Sequence, residues 1–139
     1  MILITQDLRA RLLANGAAHT ETDHVPVVKL FNPVGAATWL LTELDADGDT
    51  LFGLCDLGFG FPELGSVSLA ELQTVKGPLG LGVERDLSFR ARFALSVYTE
   101  AARIAGHITE DEPLLRQAAA RLKTPTPELP PDPAERPRR

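Results

Sequence analysis

Glu43 and Asp56 are carboxylates set among apolar neighbours, in Thr38-Trp39-Leu40-Leu41-Thr42-Glu43-Leu44 and Leu51-Phe52-Gly53-Leu54-Cys55-Asp56-Leu57. They belong to two strands expected over Ala36–Leu44 and Leu51–Leu57, joined through the polar turn Asp45-Ala46-Asp47-Gly48-Asp49-Thr50. With Leu44 opposite Leu51, strict alternation sets Glu43 against Phe52, Leu41 against Leu54 and Trp39 against Asp56. The two carboxylates then share a face with Trp39. A carboxylate in apolar surroundings is destabilised in its charged form, so its pKa rises into a range useful for acid–base chemistry. A small hydrolytic or metal-assisted enzyme is the function this pair implies. The plainer reading is a carboxylate at the rim of the sheet, or one paired with Arg85, Arg90 or Arg92.

Other residue groups are weaker. His19, Glu21, Asp23 and His24 have the ligand types of a zinc site, but a loop gives them no fixed geometry and a solvated loop is the better reading. Asp45, Asp47 and Asp49 open like a calcium loop. Thr50 then stands in place of the turn glycine and Asp56 in place of the bidentate glutamate, so a hairpin turn accounts for them better. Cys55 with His107 as base would make a nucleophile pair, yet nothing brings that histidine near, and buried free cysteine is common. Neither Gly77-Pro78-Leu79-Gly80-Leu81-Gly82 nor Gly58-Phe59-Gly60-Phe61-Pro62-Glu63-Leu64-Gly65 has dinucleotide or P-loop spacing. Both read as turns, and no cofactor is expected. Phe59 and Phe61, within glycines, either anchor a partner or close one end of the core, the lid being slightly preferred. Arg90 and Arg92 would form a basic spot on the polar face of a strand.

Several elements must position these groups. Thr5 caps a helix to about Ala14, stopped by a left-handed Asn15-Gly16. Val25–Phe31 is a short strand. The two hairpin strands are apolar on both faces, so they belong in the middle of a sheet covered on both sides. Ser68 and Glu71 make a capping box for a helix ended by Gly77-Pro78. Glu84–Phe93 alternates Leu87, Phe89, Ala91 and Phe93 with Ser88, Arg90 and Arg92, as a strand does. Ser96 caps a helix that Gly106 stops, and Thr109 with Glu112, or Asp111 itself, opens a last helix to about Lys123. The expected fold is therefore α+β, a mostly antiparallel sheet of about four strands with three to four helices, over residues 1–123. Thr124–Arg139 holds six of the eleven prolines and reads as an extended, unstructured tail.

Charge narrows the partners. The 139 residues carry a net charge of −5, with no electrostatic pattern for broad phosphate binding. From 21 to 71 the charges are Glu21, Asp23, Glu43, Asp45, Asp47, Asp49, Asp56, Glu63 and Glu71 against Lys29 alone. Such a segment could recruit a basic protein. Nucleic-acid binding through Arg85, Arg90 and Arg92 is the less favoured alternative. No stretch reaches the ~18 apolar residues of a membrane span. The N-terminus lacks a secretory pattern and Cys55 is the only cysteine, so a reducing cytoplasm is expected.

Pro26–Phe31, Thr38–Asp45, Asp49–Gly58, Pro62–Gly65 and Val83–Leu87 together resemble the bacterial family known as domain of unknown function 2958. The resemblance covers roughly Leu3 to Gly106. Ser66 departs from it, standing where an aromatic is expected. Its members accompany plasmids, phages and integrative elements, which implies an accessory or anti-defence role without an established reaction. Together these readings favour a non-enzymatic protein-binding module. Its expected contact surface is Asp45, Asp47, Asp49, Phe59 and Phe61, with Arg90 and Arg92 as a further binding spot.

Overall fold

The computed structural model describes residues 1–18 and 22–123. Strands β1 (Val28–Phe31), β2 (Thr38–Leu44), β3 (Thr50–Asp56), β4 (Glu63–Ser68) and β5 (Glu84–Arg85) form one antiparallel sheet, ordered β4-β3-β2-β1-β5. Helices α1 (Gln6–Gly16) and α2 (Leu69–Thr74) precede α3 (Leu95–Ala105) and α4 (Glu112–Lys123). The fold is α+β, with five strands where about four were expected. The Pro-rich tail lies outside the described residues.

β2 is central because it is apolar on both faces. One face carries Trp39, Leu41 and Leu44 with Val28, Leu30 and Leu51, packed against Leu12 of α1 and Leu69 and Leu72 of α2. The other carries Leu40 and Leu54 against Tyr98 and Ala101 of α3 and Leu115 of α4. Leu40, Leu41 and Leu54 are fully buried, each worth about 1.5–3 kcal/mol relative to exposure.

The hairpin departs from strict alternation at one residue. Leu44 pairs with Leu51 and Glu43 with Phe52, as expected, but a bulge follows, so Leu41 meets Gly53, Trp39 meets Cys55 and Thr38 meets Asp56. Thr42, the extra residue, is buried. Its hydroxyl donates to Phe52 O (3.3 Å) and its carbonyl accepts from Asn15 Nδ2 (2.9 Å). The helix α1 thus supplies the hydrogen bond that the bulge takes from the ladder.

Three further expectations are corrected. Glu63–Gly65, read as part of a turn, opens a strand that runs to Ser68 and pairs along its length with β3. Glu84–Phe93 is a strand only to Arg85. Asp86 then starts a turn, accepting Ser88 N at 2.9 Å, and Arg92 N donates to the Tyr98 hydroxyl (3.1 Å) instead of a sheet neighbour. Gly16 does not stop α1 in a left-handed conformation; the cap is Ala17, with φ −87°. The Thr5 cap, the Ser68–Glu71 start of α2 and the left-handed Gly106 after α3 are as expected.

Candidate functional site

Asp56 ends β3 and is only 3% exposed. Its Oδ1 accepts Gly58 N and its Oδ2 accepts Ile108 N, both at 2.9 Å, tying the strand to the connection between α3 and α4. Beyond this tie Gly58 (φ 92°) and Gly60 (φ 89°) turn the chain through left-handed backbone that a side chain would disfavour. Pro62 is buried and feeds the chain into β4. Between these fixed points Phe59 and Phe61 are each 78% exposed, flanked by exposed Leu57 and Leu64. They do not close the core, so the preferred lid reading is corrected: the packed ends of the loop hold both rings outward.

The loop leads into a sheet edge. β4 is the outermost strand on its side, and nothing among the described residues pairs with its outer edge. Edge strands are usually kept short, covered or charged to prevent pairing. The opposite edge obeys this: β5 has two residues, its Arg85 N donates to Met1 Sδ, and its guanidinium holds the Ile2 and Leu3 carbonyls. β4 has six residues, three exposed, three half-buried and none fully buried, with Glu63 as its single charge. Behind it, on the Trp39 face, a cavity of about 450 Å³ is lined by Trp39, Leu57, Val67, Glu71, Leu72 and Val75 among others. Trp39 Nε1 is buried without a partner among the described residues.

A family described as "Protein of unknown function (DUF2958)" matches residues 3–109. The chain belongs to this family. No curated protein and no solved structure matches it. The DUF2958 match takes in the aromatic loop and every strand, and stops before α4.

The DUF2958 sheet separates the carboxylate pair from Trp39. After the bulge, Glu43 and Asp56 lie on the face of Phe52 and Leu54, while Trp39 lies on the other with Leu41. Glu43 pairs with Phe52 and Asp56 with Thr38, so they occupy opposite ends of the hairpin, roughly 13 Å apart at ~3.3 Å per residue. The expected wall shared by Glu43, Asp56 and Trp39 does not form.

The acidic turn is built inward. Asp47 accepts Asp49 N (2.8 Å), Thr50 N (2.9 Å) and the Thr50 hydroxyl (2.7 Å). Hydrogen bonds from the Thr50 N–H, the Thr50 hydroxyl and then the Asp49 N–H hold its carboxyl below the ordinary range. Asp49 accepts Ser68 Oγ and Ala70 N, both at 2.8 Å, reinforcing the start of α2. Of the three aspartates, only Asp45 has no side-chain partner among the described residues. Asp49→Ala is therefore expected to cost about 1–2 kcal/mol in urea denaturation, the range for losing a helix cap. A lowered folded pKa means Asp47 contributes fully above the unfolded value near 3.8 and loses that contribution as pH falls through the lower folded value.

The remaining candidates scatter. Arg92 is paired with Glu112 (2.7 Å), while Arg90 donates to the Phe89 carbonyl (3.0 Å). Glu112 is held below its ordinary pKa by Arg116, with Arg92 adding to the effect. His19 and Glu21 lie outside the described residues, and no cluster of metal-ligating side chains occurs among those described. Asp23 accepts Ser96 N (3.0 Å) and the Ser96 hydroxyl, capping α3 from a distant part of the chain, and the His24 carbonyl accepts Leu95 N. Cys55 sits on the Trp39 face, its thiol pushed above the ordinary range by burial, whereas His107 precedes the residue tied to Asp56 on the other face. No helix among the described residues is long and apolar enough to cross a membrane.

Proposed function

We propose that this chain is a non-enzymatic protein-binding module that accepts an extended, cationic segment of a partner along β4. The partner would add a sixth strand, and its apolar side chains would rest on Phe59 and Phe61. The observation that carries this reading is the unpaired six-residue edge beside two phenylalanines, each 78% exposed. Strand addition gives affinity through main-chain hydrogen bonds, with side-chain contacts selecting the partner. The rings start from fixed loop ends, so little ordering entropy opposes binding. Exposed Glu63 and Glu71 favour a partner carrying Lys or Arg.

The separation of Glu43 from Asp56 argues against the acid–base alternative. The cytoplasmic, mobile-element accessory role implied by the family resemblance, including interference with a host defence protein, belongs to this same reading.

The test is selection of peptides from a random library on the immobilised chain, followed by fluorescence anisotropy of the winners. Truncating an interface hot spot costs about 2 kcal/mol or more, so with even one of the two rings in that role Phe59→Ala with Phe61→Ala should weaken binding roughly thirtyfold or more. The same pair should leave the melting temperature nearly unchanged. Ile104→Ala, an exposed apolar residue on α3, is the control and should bind as the parent does. A library that enriches no peptide, or winners indifferent to the double substitution, would refute the proposal.

A further inference from the structure

The edge of the sheet opposite the aromatic loop holds a second cavity, of about 430 Å³, between α1, the segment before β1 and the turn after β5. Arg11, Lys29, Arg85 and Arg90 line it, and Asp86 is the only carboxylate in its wall among the described residues. This inverts the charge of a chain whose net value is −5. Lys29 is already committed, to Asp86 at 3.5 Å and to Glu110. Arg11, Arg85 and Arg90 enter no ion pair among the described residues, unlike Arg92, Arg103, Arg116 and Arg121.

Two of these arginines are also held in place. Arg85 Nη1 donates to the carbonyls of Ile2 and Leu3, both at 2.6 Å, and Arg90 Nη1 donates to those of Phe89 (3.0 Å) and Leu87 (3.4 Å). A guanidinium carries five N–H donors in a rigid fork. Anchoring through Nη1 leaves the Nε–Nη2 edge, which matches two oxygens of one oxyanion. Leu8, Val25 and Leu87 add apolar wall. The volume is that of a small-molecule site, too small for an extended polymer.

We infer that this cavity binds a small organic phosphate monoester, its dianionic group on Arg85, Arg90 and Arg11 and its apolar body against Leu8, Val25 and Leu87. A dianion suits three cations that enter no ion pair among the described residues better than a carboxylate does. The site is independent of the β4 surface, so either can fail alone.

The experiment is titration of the 15N-labelled chain with phenyl phosphate at fixed ionic strength, followed by amide shifts. Saturable binding is expected, with the largest shifts from Lys29 and Arg85–Ala91. Benzoate and inorganic phosphate should each bind at least fivefold more weakly. Arg90→Ala and Arg11→Ala should each weaken phenyl phosphate about tenfold while the rest of the spectrum stays in place, and Arg90→Lys should not restore it. Arg85→Ala also frees the N-terminal segment, so it is not relied on. Arg103→Ala should change nothing. Non-saturating shifts, equal affinity for benzoate, or full affinity in both Arg90→Ala and Arg11→Ala would overturn the inference. So would a single-stranded oligonucleotide that binds more tightly than phenyl phosphate with a salt dependence of several phosphates.

Discussion

Replacing Asp56 by Ala lowers the unfolding free energy by about 3 kcal/mol, read as a fall in the urea midpoint. Two main-chain donors, Gly58 N and Ile108 N, lose their acceptor at a residue only 3% exposed. An unsatisfied buried donor costs about 1–3 kcal/mol. Against a typical domain stability of about 5–15 kcal/mol that is a large fraction. Asp56→Asn should fall between parent and Ala, because an amide can accept at one of the two positions only. Glu43→Gln, at the half-buried end of the hairpin, should stay within about 0.5 kcal/mol of the parent. An Asp56→Ala chain as stable as the parent would show that the tie between β3 and the α3–α4 connection holds nothing together.

Gly53→Ala is expected to be at least as damaging. A Cβ built at Gly53 would lie 2.0 Å from Leu40 O and 2.8 Å from Leu41 Cα, both backbone atoms of the central strand. The hairpin would have to open at its bulge to admit one methyl group. Overpacking usually costs about 1–3 kcal/mol, and a clash with backbone belongs at or above the upper end. The melting temperature should drop by more than about 10 °C. Gly65 is its cross-strand partner on β4, and a Cβ there meets nothing within 4 Å. Gly65→Ala should therefore leave the melting temperature nearly unchanged. Equal effects at the two glycines would mean that close approach to β2 is not the reason for Gly53.

The two substitutions also mark where reading by alternation stops working. From Leu44 and Leu51 inward the pairing is as the pattern predicts, until Thr42 adds one residue to β2. A single insertion moves every residue beyond it to the other face. Asp56 therefore leaves the side of Trp39, and the pocket expected from sequence is lost. The bulge had no local marker. It depends on Asn15 of α1, which satisfies the Thr42 carbonyl from a distant part of the chain.

β4 was missed for a related reason. Glu63-Leu64-Gly65-Ser66-Val67-Ser68 has little strand propensity, and it becomes a strand because β3 offers it an edge. The aspartates of the turn were legible as turn residues. That Asp49 would cap α2 was not, since its partners lie at Ser68 and Ala70. The convergence of Arg11, Arg85 and Arg90 was likewise invisible, because they come from α1, β5 and the turn after it.

By itself the sequence determined the features set within a few residues of each other. These are the Thr5 cap, the Ser68 cap, the Gly106 stop, the presence of the helices beside them, and a two-faced apolar hairpin that has to lie at the centre of a sheet. Tertiary structure alone decided the bulge, the fifth strand, the outward set of Phe59 and Phe61, and which charges meet. The division has one physical cause. Caps and periodicity are satisfied by atoms close along the chain, whereas register, edges and cavities depend on hydrogen bonds and packing from segments that only folding brings together.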